Sequence, residues 1–142
     1  MRISAKAEYA CFAMLELALN YAAPQPVRVK AIADAHGIPP RFLVQILLQL
    51  KGAGLVASVR GASGGYQLAR PPAEIPLLKI VKAIDPPPRP PEYPPGPHSA
   101  AVRAIRSVWK QVQEEEERLL ASITLAELVR RIQETSDLSY QI

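Results

Sequence analysis

Residues 29–70, which read VKAIADAHGIPPRFLVQILLQLKGAGLVASVRGASGGYQLAR, decide the fold. Their apolar spacing predicts a helix from Val29 to His36, which Gly37 can end because glycine readily adopts the left-handed conformation of a helix cap. A second helix is expected to open at Pro39 and Pro40, since proline suits the first turn of a helix. Its predicted buried stripe consists of Phe42, Leu43, Ile46, Leu47 and Leu50. The pair forms a helix-turn-helix, whose second helix is free to enter a groove.

A hairpin is predicted to follow the two helices. Leu55 to Arg60 alternates like a strand, residues 61–65 (GASGG) turn the chain, and Tyr66 to Leu68 form the returning strand. Glycine at positions 64 and 65 permits positive φ. The hairpin can place Arg60 in the minor groove of DNA. An ordinary hairpin turn is the alternative interpretation. The sequence therefore predicts a mainly α fold with a small β-hairpin, arranged as a winged helix-turn-helix.

The hairpin also carries a family resemblance. The sequence GLVASVRGASGGYQLAR closely resembles the wing of the Rrf-type winged-helix transcription factors, the family of IscR, NsrR and CymR. The likeness extends from MRISAKAEYA at the start, through AIADAHGIP and FLVQIL, to ITLAELV near the end, so it covers almost the whole chain except the middle. The resemblance implies a dimeric, sequence-specific DNA-binding regulator of transcription that binds a pseudo-palindromic operator.

Composition and charge agree with a nucleic-acid binder. The chain has 142 residues, 49% of them hydrophobic, which is enough for one domain with an appended element. The net charge is +4, and residues 1–85 hold ten Lys or Arg against five Asp or Glu, whereas residues 86–142 hold seven against eight. The basic surplus thus accompanies the helix-turn-helix, as expected when the partner is a polyanion.

The first segment predicts a buried helix and no targeting sequence. Ser4 can cap a helix that runs to about Tyr21, and Glu8 and Glu16 interrupt its apolar residues, so neither a signal peptide nor a membrane span is expected. A single cysteine suits a reducing compartment, and we expect a cytoplasmic protein. The inner face of the helix is predicted to consist of Ala7, Ala10, Cys11, Met14, Leu17, Ala18 and Tyr21.

Candidate DNA contacts lie on the second helix and the hairpin. Arg41 and Gln45 face away from the apolar stripe, and arginine favours guanine whereas glutamine favours adenine. Val44 can touch a thymine methyl; relatives of the IscR kind carry an acidic residue there, which implies a changed operator preference. Ordinary surface roles are the alternative for Gln45 and for the terminal Arg2. The predicted DNA-binding residues are Arg2, Arg41, Val44, Gln45, Arg60, Gly61, Gly64 and Gly65.

The rest of the chain predicts a linker and a long helix. A short helix within residues 75–84 is followed by PPPRPPEYPPGP, in which eight of twelve residues are proline, so an extended connector is expected rather than a ligand for a proline-recognising module. From Ser99 to about Ser122, apolar residues recur in steps of three and four, which favours a two-fold partner helix over packing on the chain's own domain. The predicted dimerisation residues are Val102, Ile105, Trp109, Val112 and Leu119.

Three regions follow from these patterns. A DNA-binding domain is expected at residues 1–85, a proline-rich linker at 86–98, and dimerisation and C-terminal helices at 99–142. Thr124 and Glu127 form a capping box for the last helix, predicted from Leu125 to about Glu134 and expected to pack near the first helix.

The sensory signal is the property in which we expect this chain to differ from the family that it resembles. Iron–sulfur members of the family keep three cysteines where this chain has its proline-rich linker, and here no cysteine follows Cys11. Glu8 matches a position that supplies an oxygen ligand in some NsrR-like members. We predict no metal or cofactor, and a signal delivered by a small molecule, a partner protein or concentration alone. A winged-helix protein-interaction module is the alternative function. An enzyme is not expected, because the two histidines lie far apart in the sequence and there is no phosphate-binding glycine motif.

Overall fold

The computed structural model describes residues 3–87 and 96–141 of the chain, and side chains within them up to residue 136. The helices there are α1 (Ala5–Leu19), α2 (Val29–His36), α3 (Pro40–Gly52), α4 (Leu77–Ile84), α5 (Ala100–Ser122) and α6 (Leu125–Gln141). Between α3 and α4 lie strands β1 (Val56–Val59) and β2 (Gly65–Leu68) and a single 3-10 turn at Pro72–Glu74. This order confirms the predicted mainly α fold with one hairpin.

The core lies where α1 crosses α3 and α4. Small residues on α1 let the three helices approach closely, and leucines and isoleucines of α3 and α4 fill the space between them. The fully buried large side chains are Met14, Leu17, Ile32, Leu43, Ile46, Leu47, Leu50, Ile75, Ile80 and Leu125.

The helix-turn-helix forms as the sequence predicts. Gly37 ends α2 with φ of 63° and ψ of 33°, and Pro40 opens α3 in its first turn. Phe42 is a correction to the predicted buried stripe, because 48% of its surface is exposed. It lies on the edge of α3 against the ring of Tyr9, with centroids 6.5 Å apart. The four aliphatic residues of the stripe fill the core without it.

The hairpin is antiparallel and short. Val56 pairs with Leu68 and Val59 with Gly65, which brings the strand ends to the loop at residues 60–64. Val27, just before α2, forms a further bridge with Tyr66 through two backbone hydrogen bonds of 2.8 Å. The wing is therefore attached to the start of the helix-turn-helix as well as to its end.

Several predicted boundaries change. α1 ends at Leu19, where the Asn20 side chain bonds the Glu16 backbone carbonyl at 2.8 Å, and Tyr21 is exposed instead of buried. α6 continues to Gln141, beyond the predicted end at Glu134. Residue 2 and residues 88–95, which include most of the predicted linker, lie outside the described part of the chain.

The end of the chain returns to its beginning. The backbone N–H of Glu127 donates to the Thr124 hydroxyl at 3.2 Å, the first half of the predicted capping box. An isolated bridge joins Pro76 and Thr124, and α6 packs against α1 as expected. α5 contacts α4, and no residue along α5 is buried.

Candidate nucleic-acid interface

One face of α3 is fully presented to solvent. Arg41, Val44 and Gln45 are exposed, whereas Leu43, Ile46, Leu47 and Leu50 on the opposite face are buried. Leu48, with 56% of its surface exposed, continues the same outer face toward the end of the helix. This face therefore combines one cation, one amide and two aliphatic side chains, which are the groups used to contact base edges and thymine methyls.

The wing glycines are needed chiefly for space. A Cβ at Gly64 would lie 2.3 Å from the Val59 carbonyl oxygen, and one at Gly65 would lie 2.2 Å from the carbonyl oxygen of Val27. Gly64 does not adopt the positive φ that glycine permits, Gly65 has φ of 158°, close to extended backbone, and Gly61 in the loop has φ of 111°. Close approach of three backbone segments thus produces the narrow wing, and Arg60 is exposed at its shoulder.

Two further cations accompany the predicted residues. Arg28, the residue before α2, donates from Nη2 to the carbonyl oxygen of Ala62 in the wing loop at 2.7 Å. Lys51, in the last turn of α3, donates from Nζ to the Ser58 hydroxyl of β1 at 2.8 Å. The sequence pattern does not identify either residue, because the partners of both lie in the hairpin, away from their own helices. The basic surplus of residues 1–85 is the only sequence signal for them.

The positions of these cations concentrate positive charge around the wing. Arg28, Lys51 and Arg60 are all exposed, and the first two contact the wing through neutral acceptors, with no carboxylate partner among the side chains that the structure describes. Lys30 differs, because it forms an ion pair with Asp34 one turn along α2, at 2.9 Å. A surface of this kind attracts a polyanion with a strength that falls as salt is added.

The helix-turn-helix is fixed to α1 by a polar contact. Nε2 of His36, at the end of α2, lies 2.9 Å from Oε1 of Glu16, whose other oxygen accepts a hydrogen bond from Asn20 at 2.8 Å. The His36 ring also lies against Phe12, with centroids 6.3 Å apart. His36 is therefore a half-buried structural residue rather than a free surface group.

The predicted dimerisation residues lie along α5. Val102, near the start of α5, is half-buried, whereas Ile105, Trp109, Val112 and Leu119 are exposed, Trp109 by 58% and Leu119 by 61%. Val108, exposed by 46%, widens the same apolar surface. Large apolar side chains exposed together along one helix are typical of a surface that meets another protein.

The donor set around Cys11 does not suit a metal cluster. Burial raises the pKa of the Cys11 thiol to about 11, and the charges of Glu8 and then Asp85 add to this effect. Metal binding requires the thiolate, which this environment disfavours, and iron–sulfur clusters are held chiefly by several thiolates. Among the described residues no group of three or more His, Cys, Asp or Glu side chains is arranged to hold a metal.

The geometry of α2, α3 and the wing defines the class of protein. A helix-turn-helix with an exposed second helix, followed by a narrow hairpin flanked by exposed cations, is a winged helix-turn-helix of the DNA-binding kind. In the described part of the chain, no helix combines the length and hydrophobicity needed to cross a membrane.

Comparison with known proteins gives the family. The model of the Rrf2 family, described as an iron-dependent transcriptional regulator, matches residues 3–131. The chain belongs to this family, which is one of DNA-binding transcriptional regulators and not of enzymes. The family expected from the wing sequence is thereby confirmed.

Individual relatives agree with this assignment. A Mycobacterium tuberculosis protein, provisionally named an HTH-type transcriptional regulator, is 41% identical over 131 residues, covering 90% of this chain and 81% of its own length. The solved structure of T. potens IscR superposes with a TM-score of 0.79 at 34% identity, covering 95% of this chain and 90% of that one. CymR, the global cysteine regulator of B. subtilis, gives a TM-score of 0.80 at 31% identity, covering 92% and 98%.

Proposed function

We propose that this regulator binds a two-fold DNA operator as a homodimer, with α3 in the major groove and the wing in the adjacent minor groove. The observation that carries the proposal is the exposed outer face of α3 beside a wing that is flanked by the exposed cations Lys51 and Arg60. In this arrangement Arg41 and Gln45 read base edges, and Val44 contacts a thymine methyl. Arg60 enters the minor groove, where Gly61, Gly64 and Gly65 keep the wing narrow, while Arg2 contacts phosphate.

The exposed apolar surface of α5 supports the homodimer. Isolated helices need a packed apolar face for stability, and α5 has 23 residues of which none is buried. A second copy of the same helix would cover Ile105, Trp109, Val112 and Leu119 in a self-complementary contact, with Val102 beside it near the start of α5. We assign residues 1–85 to DNA binding, 86–98 to a linker, and 99–142 to the dimerisation helix and the C-terminal helix, which packs against α1.

We also propose that the protein regulates transcription without an iron–sulfur cluster. The chain contains one cysteine, and its thiol is held protonated by burial and by Glu8. Two subunits would supply only two thiolates, so the donors present do not suit such a cluster. A small molecule, a partner protein or the protein's own concentration then remains as the signal.

Selection of bound genomic fragments tests the DNA-binding proposal. Fragments captured by the parent protein should share an inverted repeat with half-sites about one helical turn apart, or a multiple of it. The same selection with Gln45→Ala should give a motif in which one position of each half-site is relaxed, because the amide no longer reads that base. Identical motifs from both proteins would contradict the assignment of Gln45, and fragments without a shared motif would contradict the proposed function.

Anaerobic reconstitution with iron and sulfide tests the cluster-free proposal. We expect a colourless protein whose bound iron stays far below one atom per subunit. Stoichiometric iron with visible charge-transfer bands, lost in Cys11→Ala, would contradict this proposal and restore an iron sensor.

A further inference from the structure

The wing is joined to the body of the protein by more than its own strands. The backbone of Val27 exchanges two hydrogen bonds of 2.8 Å with Tyr66 at the base of β2. The adjacent Gly65 approaches Val27 so closely that no Cβ could be accommodated. The segment immediately before α2 therefore runs beside the base of the wing, and the next residue along it, Arg28, is placed to reach the wing loop.

Arg28 makes that contact with its side chain. Its Nη2 donates to the Ala62 carbonyl oxygen at 2.7 Å, across 34 positions of sequence. Arg28 occupies the N-cap position of α2, where its guanidinium cannot cap the helix because it has only donors, and it extends to the wing instead. Within residues 3–87 and 96–136 it has no carboxylate partner. The contact therefore joins α2 to the wing loop without neutralising the charge.

The wing loop has few other means of being ordered. Residues 60–63 are exposed, and Gly61, Ala62 and Ser63 have too little side-chain surface to pack. One hydrogen bond within the loop joins the Gly64 N–H to the Gly61 carbonyl at 3.0 Å. Because glycine-rich segments have many accessible conformations, a contact with a packed helix removes a large part of that freedom.

We infer that Arg28 is a positioning residue for the wing, which holds Ala62 and thereby sets the direction in which Arg60 meets the minor groove. The inference rests on the proposed function. Arginines inserted into a minor groove respond to its width, since narrow A·T-rich grooves have the more negative potential. Fixing the backbone two residues beyond Arg60 therefore contributes to discrimination between narrow and wide grooves, and less to overall affinity.

A direct phosphate contact is the competing role for the same side chain. The two roles differ in their dependence on salt, because each phosphate contact that is lost lowers the slope of log affinity against log salt by about 1. A positioning role leaves that slope unchanged. They differ also in the protein without DNA, where only the positioning role affects the order of the wing.

The experiment compares Arg28→Ala, Arg28→Lys and the control Lys30→Ala, which removes a nearby cation that already has a carboxylate partner. Amide hydrogen exchange of residues 61–65 is measured in the free protein. Affinity is then measured at several salt concentrations for two duplexes taken from the selected motif. These duplexes share their half-sites and carry either an A-tract or G·C pairs under the wing.

We expect Arg28→Ala to speed exchange of the loop amides about five-fold, the order expected from loss of one hydrogen bond. Preference for the A-tract duplex should fall by a similar factor at an unchanged salt slope. Arg28→Lys should restore part of both effects, since lysine keeps a donor, and Lys30→Ala should match the parent. Unchanged amide exchange, or a salt slope lowered by about 1 with the A-tract preference retained, would overturn the inference. A parent that binds every duplex alike would instead contradict the proposed function, while the amide exchange still decides whether Arg28 orders the wing.

Discussion

The carboxylate of Asp85 accepts hydrogen bonds from both the backbone N–H of Ser4, at 3.1 Å, and the Ser4 hydroxyl. The hydroxyl oxygen in turn accepts from the Ala7 N–H at 3.0 Å, as the N-cap of α1. Since Asp85 is the residue that ends α4, one network fixes the start of α1 to the last residue before the proline-rich segment. Ser4 and Asp85 thus join the start of α1 to the end of α4, in addition to the packing of these two helices on each other.

Ser4→Ala should lower the free energy of unfolding by about 1–2 kcal/mol, because it removes the helix cap and one bond to Asp85. Ser99→Ala is the matched control, since Ser99 caps the exposed helix α5 through the Val102 N–H at 3.2 Å and lies at the surface. Urea denaturation measures both. Equal losses in the two variants would show that the contact with Asp85 adds nothing to the cap.

Gly65→Ala should destabilise the wing by about 1–3 kcal/mol, the cost typical of forcing an extra carbon into a filled space. The added Cβ would lie 2.2 Å from the Val27 carbonyl oxygen, so the bridge between Val27 and Tyr66 must open. Gly52→Ala is the control, because a Cβ there meets nothing within 4 Å. Thermal unfolding and DNA affinity should be impaired in the first variant only. A Gly65→Ala protein as stable as the Gly52→Ala protein would contradict this packing.

Replacing Trp109 and Val112 together by glutamate should convert the proposed dimer into a folded monomer. The dimer is lost because a charge buried at its seam has no partner. The monomer stays folded because both side chains are exposed in the single chain, Trp109 by 58% and Val112 by 45%. Sedimentation reports the mass and circular dichroism reports the helix content, with Gln111→Glu as a control on an exposed position of the same helix. A parent protein that stays monomeric at micromolar concentration would contradict the dimer.

The thiol of Cys11 should react slowly with alkylating reagents throughout the neutral range. Its pKa is raised from 9.0 to about 11 by burial and by Glu8, so the reactive thiolate forms only at high pH. Because the pKa is raised in the folded state, this group's contribution to stability is complete below about pH 9 and is lost as the pH rises toward 11. Alkylation rates of the native protein should still be rising at pH 10. A plateau near pH 9, as in the denatured chain, would contradict the raised pKa.

The sequence predicts most of the fold because local signals specify it. Gly37, Pro40 and the Thr124 cap act within one helical turn, so helix ends follow from the residues beside them. The prediction that Phe42 is in the core is wrong. Helical periodicity shows which face of a helix is buried but not how far that face extends, and the ring that Phe42 contacts, Tyr9, belongs to a separate helix.

The candidate site is less predictable than the fold. The sequence predicts that Gly64 and Gly65 are needed for the conformation of a turn. In the structure they are needed because other backbone segments lie too close for a side chain, and these segments meet only in the folded protein. The sequence gives no specific signal for Arg28 either, because its partner Ala62 lies 34 positions away. Contacts of this kind have no periodicity or motif to reveal them.

The number of protein chains on one selected operator duplex tests the central claim most directly. Sedimentation of a labelled duplex with increasing protein, at a salt concentration where unrelated DNA is not bound, gives this number together with the specificity. We predict two chains per duplex and a complex that is lost when either half-site is scrambled. One chain per duplex, or equal binding of scrambled DNA, would contradict the model of a homodimer that reads two half-sites with α3 and the wing.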